Sequence, residues 1–167
     1  EIDGDLRHAC SVCLNMIWRL RPEVCEEIAD LLSPIRLAQP YAAIHISRCD
    51  KHNEVRHADV IDYVKLLEQT RPDLTTVFVA GDDFSTICEL KQVRPDFNWV
   101  GLATAERNGQ RQKTFKQFSI MERRRKTMEL LAELEVLRGS ELFVGTSSSN
   151  IGRLMELFKG KNNCLFV

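Results

Sequence analysis

The sequence predicts an α/β fold: a Rossmann-like, doubly wound, mostly parallel sheet with helices on both faces. Three observations carry this expectation. Short runs rich in apolar and β-branched residues alternate with longer runs of helical period, the order of successive βα units. The clearest of these runs, Tyr41 to Ile46, is short and largely apolar, as a strand covered on both faces of a parallel sheet is. The densest polar clusters follow directly on such runs, at the edge where open α/β sheets bind their ligands.

Taken in order, residues 5–20 place Leu6, Cys10, Cys13, Leu14, Ile17 and Leu20 on one helical stripe. Pro22, followed by Glu23, Glu26 and Glu27, starts a second helix that runs to about Leu32 and is ended by Ser33-Pro34. Tyr41 to Ile46 is the first strand, and Ser47 to Glu54 is the polar loop beyond it. Asp59 to Thr70 carries Val60, Ile61, Val64 and Leu67 on one face, a third helix halted before Pro72. Thr75 to Ala80 is the second strand, by its β-branched content. Gly81-Asp82-Asp83 turns the chain and supplies a cap for a helix with Ile87, Leu90 and Val93, closed by Pro95.

Asn98 to Leu102 is the third strand, and residues 103–118 are a long polar loop containing Arg107 to Lys113, a candidate mobile cover. Ser119-Ile-Met-Glu122 has capping-box spacing and opens a long helix with Met128, Leu131, Leu134 and Leu137 inward, ending at Gly139. Arg123 to Lys126 in its first turns is read first as a solvated face, with contact to a phosphate as the alternative. Glu141 to Gly145 is the fourth strand, Ile151 to Phe158 a short helix and Cys164 to Val167 a fifth strand. The chain is expected to be a single domain over residues 1–167, with leading helices over 1–35 and βα units over 41–167.

Composition narrows the function. With a net charge of −1, 44% hydrophobic and 28% charged residues, the chain has no global attraction to nucleic acid or an anionic membrane, so any anion site must be local. No apolar run approaches the roughly 18 residues of a membrane span, and Glu1-Ile-Asp-Gly-Asp5 does not begin as a signal peptide does, so a soluble segment without membrane contact is expected. The six cysteines fit a reduced protein with buried thiols or a secreted one with bridges. Cys10-Ser-Val-Cys13 has redox or zinc-ligand spacing but no second pair, and packing thiols are the preferred reading.

Thr146-Ser-Ser-Ser-Asn150, between a strand and a helix, offers hydroxyls and helix-terminal amides to a phosphate, or simply caps the helix. Neither Gly-x-Gly-x-x-Gly after the first strand nor a Walker A pattern occurs, which weighs against nicotinamide enzymes and P-loop nucleotidases. Asp82-Asp83 is adjacent rather than spaced as Asp-x-Asp, so no metal clamp is expected.

Arg21-Pro22, Ile44-His-Ile-Ser-Arg-Cys-Asp-Lys51, Val79-Ala-Gly-Asp-Asp83 and Leu142-Phe-Val-Gly-Thr-Ser-Ser-Ser-Asn-Ile-Gly-Arg153 together resemble the alpha-1,6-fucosyltransferase family of core-fucosylating and nodulation enzymes. The motifs occur in order across essentially the whole chain. The resemblance implies the nucleotide-binding half of a GT-B glycosyltransferase that takes GDP-fucose, inverts the anomeric carbon, needs no metal and acts on an N-glycan-like acceptor in the Golgi lumen or secretory pathway. It places His45, Ser47, Asp82, Asp83, Ser147, Ser148, Ser149 and Asn150 at the donor, and Glu133 where the family has an Asp that pairs with guanine. It also makes Glu54 the general base, with Asp50, Lys51 and Arg48 beside it.

The family's first Arg of an Arg-Arg pair is Ser47 here, and alternation along a strand turns Arg48 away from the face shared by His45 and Ser47. The cleft of such enzymes lies between two domains, of which this chain matches one. Two further readings therefore stand beside the enzyme: a catalytically silent relative that binds a nucleotide sugar or glycan, and a Rossmann-like interaction domain. The sequence leaves the oligomeric state open.

Overall fold

The computed structural model describes residues 6–48, 58–105, 115 and 117–167. Helices α1 (Leu6–Ile17) and α2 (Pro22–Leu32) precede the alternation β1 (Ala42–Ile46), α3 (Val60–Thr70), β2 (Thr76–Gly81), α4 (Phe84–Val93), β3 (Asn98–Val100), α5 (Ile120–Gly139), β4 (Leu142–Gly145), α6 (Asn150–Lys159) and β5 (Cys164–Phe166). All pairings are parallel, in the order β3-β2-β1-β4-β5. The chain builds outward from β1 to β3, returns, and continues from β4 on the other side of β1. The boundary between β1 and β4 is thus the topological switch point, where ligands of such sheets bind.

Alternation along the strands divides the core. Ala42, Ile44, Ile46, Val77, Val79 and Val144 meet Val64 and Leu67 of α3 and Ile87 and Leu90 of α4. Tyr41, Ala43, Phe78, Ala80 and Phe143 face the other way, onto Ile28 of α2, Ala132 and Leu137 of α5 and Met155 of α6. The strands are apolar because both sides of the sheet are covered, as the sequence indicates. Each helix start has a local cause. Pro22 occupies the first turn of α2, Asp83 accepts the Ser85 amide at α4, and Ser119 and Glu122 form the full capping box of α5. At the carboxyl edge, β1 and β2 pair so closely beside Gly81 that a Cβ there would lie 2.2 Å from the Ile46 carbonyl oxygen.

Three expectations are corrected. Strands β3 and β5 end at Val100 and Phe166, short of Leu102 and Val167; β5 stops where its partner β4 ends at Gly145, whereas β3 leaves β2 after the Phe78–Val100 pair. The stripe read on α1 is not its packed face: no residue of α1 is fully buried, and Leu6 and Ile17 are largely exposed. The helix is held instead through Arg7, which donates to Glu156 at 2.5 Å, and Ser11, which donates to the Leu157 carbonyl at 2.6 Å. Just beyond it, Trp18 donates to Glu135 at 2.6 Å and stands edge-on to Phe158. Nor are the cysteines mainly packing residues. Cys10, Cys13, Cys25 and Cys88 are exposed free thiols, and of the described cysteines only Cys164 is buried.

Candidate functional site

Three strand ends and one helix meet at the carboxyl edge. Strand β1 delivers His45, then Ser47 and Arg48; β2 delivers Gly81, Asp82 and Asp83; β4, on the other side of β1, delivers Thr146 to Asn150; and α5 overlies the edge with Glu129 and Glu133. His45 is buried at 7% exposure and pairs in register with Ala80.

Asp82 joins the first two strand ends. One carboxylate oxygen accepts from the Ser47 hydroxyl at 3.2 Å and the other from the Arg48 backbone N–H at 3.0 Å. The Arg48 side chain departs toward α4, where it donates to both oxygens of Glu89 at 2.6 and 2.7 Å. This bidentate contact raises the arginine's already high pKa and lowers that of Glu89. Arg48 therefore does not share a direction with His45 and Ser47, in keeping with strand alternation. Asp83, the α4 cap, accepts from the Ser85 amide at 2.8 Å and its hydroxyl at 2.7 Å.

Glu133 is the most perturbed acid at this edge. Part of the residue is exposed, but its carboxyl group is withdrawn from water beside the Gly81 backbone N–H. Burial pushes its pKa up to about 8; the Gly81 N–H opposes the shift, and the charges of Glu129 and Asp82 add to it. At neutral pH the group is consequently mostly a neutral acid. Glu129 lies one helical turn earlier on the same face, an i,i+4 carboxylate pair that could have been noticed in the sequence.

In the β4–α6 turn the hydroxyls divide. Ser149 is buried at 6% exposure and caps α6, accepting from the Gly152 amide at 2.8 Å. Ser147 and Ser148 are exposed, and exposed Asn150 accepts from Arg153 at 2.7 Å. Capping and an outward-facing hydroxyl cradle thus coexist in one turn. The structure bonds Ser47 and Arg48 to Asp82, turns Asp83 to the cap of α4, sets Glu133 against Gly81, and places Ser147 to Asn150 across the switch point. Asp50, Lys51 and Glu54 lie outside the described residues, as does the Arg107 to Lys113 stretch.

Sequence reasoning missed Glu89 and the joining role of Asp82. Both act through contacts spanning more than thirty residues, for which no local pattern exists. Among the described residues no group of three or more His, Cys, Asp or Glu is placed to hold a metal ion, and no helix is long and apolar enough to cross a membrane.

No family model and no curated protein sequence matches the chain. Its fold does match solved structures. It is similar to POFUT1 in complex with GDP-fucose, with a TM-score of 0.60 and 13% identity over 98% of this chain and 49% of that one. It is also similar to NodZ alpha-1,6-fucosyltransferase soaked with GDP-fucose, with a TM-score of 0.53 and 15% identity over 84% of this chain and 43% of that one. At such identities the likeness establishes the fold. The chain spans about half the length of these structures or less, and its Rossmann-like fold is one that occurs within fucosyltransferases.

Proposed function

We propose that the chain is the GDP-fucose-binding half of a fucosyltransferase that passes fucose, with inversion and without a metal, to the 6-hydroxyl of a GlcNAc-type glycan in the secretory pathway, such as the Golgi lumen. The observation that supports this most is the polar carboxyl edge at the switch point, in a fold shared with proteins crystallised with GDP-fucose. The acceptor hydroxyl attacks the anomeric carbon, the bond to the diphosphate breaks, and Glu54 takes the proton, with Asp50 and Lys51 orienting it. The leaving GDP is met by Ser147, Ser148, Asn150 and the amino terminus of α6, with His45, Asp82 and Asp83 at the donor. Glu133 reads the guanine.

Accepting from both guanine N–H groups requires ionised Glu133, so donor binding is coupled to loss of its proton. Calorimetry is expected to show GDP preferred over ADP, with GDP affinity rising on the order of tenfold between about pH 6.5 and 8.5 as the competent fraction grows. ADP affinity should stay flat, and the preference should vanish in Glu133→Gln. Equal affinities for GDP and ADP in the unmutated chain would remove the guanine assignment.

The silent-relative reading also has an observation behind it. Ser47 stands where the family has its diphosphate-facing arginine, and Arg48 is occupied by Glu89. Losing a preorganised donor costs about 100- to 1000-fold in rate. Transfer from GDP-fucose to a glycan acceptor is therefore expected to be weak and to rise tenfold or more in Ser47→Arg. Tight GDP binding with no transfer in either protein would favour the silent relative.

A further inference from the structure

One exposed strip of α1, beside the exposed polar His8 and Asn15, is apolar in a self-complementary pattern. Leu6, Cys10, Cys13 and Ile17 recur at spacings of four, three and four, which keeps them on one seam of the helix. Leu6 and Ile17 are 78% and 75% exposed, and both cysteines are exposed. Val12 and Met16 widen the strip. None of these six is charged, and Arg7, the one formally charged residue of α1, is tied to Glu156. Depletion of charge around exposed apolar side chains marks the centre of an interface.

The seam reads apolar, cysteine, cysteine, apolar from either end, which is what a two-fold axis requires of a surface that meets its own copy. We propose that α1 packs antiparallel against α1 of a second copy of this chain, about an axis midway between Cys10 and Cys13, and that these cysteines cross-link the pair. Leu6 then meets Ile17 of the second copy, and each Cys10 meets a Cys13. The antiparallel direction opposes the two helix dipoles and keeps the two Arg7 side chains apart. Twelve residues make a helix only about 18 Å long, too short to bury the roughly 800 Å² per partner of a standard interface. Apolar contact alone thus gives a weak pair, and two symmetric disulfides make it permanent.

Each disulfide forms by exchange with a low-molecular-weight disulfide such as oxidised glutathione. One thiolate attacks it and releases a glutathione thiolate; the facing thiolate then attacks the mixed disulfide and releases the second. Two cysteines are oxidised, one glutathione disulfide is reduced, and the two protons pass to the released thiols.

The test is non-reducing electrophoresis and sedimentation of the full 167-residue chain equilibrated with oxidised glutathione. A doubling of mass, reversed by dithiothreitol, is expected. Cys10→Ser and Cys13→Ser should each lose the cross-link completely, with unchanged circular dichroism, because each removes one member of both pairs. Mixing the two variants should restore a single cross-link, between the Cys13 of one and the Cys10 of the other. A cross-link that survives in both single variants would overturn the arrangement, indicating parallel pairing or the exposed Cys25 and Cys88. A monomer lighter by two hydrogens, from a bridge within α1, would overturn it too, as would a fully reduced monomer.

Discussion

Replacing Glu133 with glutamine is expected to stabilise the protein by about 4 kcal/mol at pH 8 and above, and to change little below about pH 4.5. The folded protein holds this proton up to a pKa of about 8, whereas the unfolded chain releases it near 4.5. Between those values the folded state binds more protons than the unfolded one. The contribution of Glu133 to stability is therefore fully present at low pH and is lost as pH rises through the window. Glutamine keeps the shape, can still accept from the Gly81 N–H, and never ionises against Glu129 and Asp82. At roughly 2–4 °C per kcal/mol for a chain of this size, the melting temperatures of the two proteins should separate by about 10 °C at pH 8 and converge by pH 4.5. Other titrating groups cancel in the difference. Melting curves that stay parallel across the range would place the carboxyl group in water.

That cost explains why such a residue is better read as part of a site than as part of a scaffold. A carboxyl pressed between a strand edge and a second carboxylate weakens the fold at neutral pH, and structures retain such strain mainly where a ligand uses it. It would also set the proton linkage proposed for GDP.

The sequence revealed most where burial and local chemistry coincide. Strand β1 was legible because both of its faces are covered and its polar continuation lies at the sheet edge. The starts of α2, α4 and α5 were legible because Pro22, Asp83, Ser119 and Glu122 act within one turn of themselves. Helix α1 was legible as a helix, but its packed face was not, for an equally physical reason. A stripe of Leu6, Cys10, Cys13 and Ile17 has the same periodicity whether it meets the protein's own core or is left outward, and only the tertiary contacts of Arg7 and Ser11 decide between them. At the candidate site, the residue types and their strand ends were readable. The partners were not, since Arg48 with Glu89 and Ser47 with Asp82 join segments whose approach depends on the whole sheet.

Gly152→Ala tests the β4–α6 turn with a single added methyl group and is expected to cost about 3 kcal/mol of stability, at the upper end for overpacking. A Cβ at this position would lie 2.2 Å from the Thr146 carbonyl oxygen and 3.0 Å from Ser149 Oγ. The first is backbone and cannot rotate away. That carbonyl also accepts from the Ser149 N–H at 3.2 Å, and Ser149 in turn caps α6 through the Gly152 amide. The methyl group must therefore push the turn off the helix, moving Ser147, Ser148 and the amino terminus of α6 together. Ser149→Ala removes only the cap and should cost about 1 kcal/mol. If the turn holds the diphosphate, Gly152→Ala should weaken GDP binding by more than tenfold under conditions where the variant remains folded, while Ser149→Ala weakens it less. A stable Gly152→Ala protein with unchanged GDP affinity would mean that the turn yields without consequence and that the diphosphate is held elsewhere on the edge.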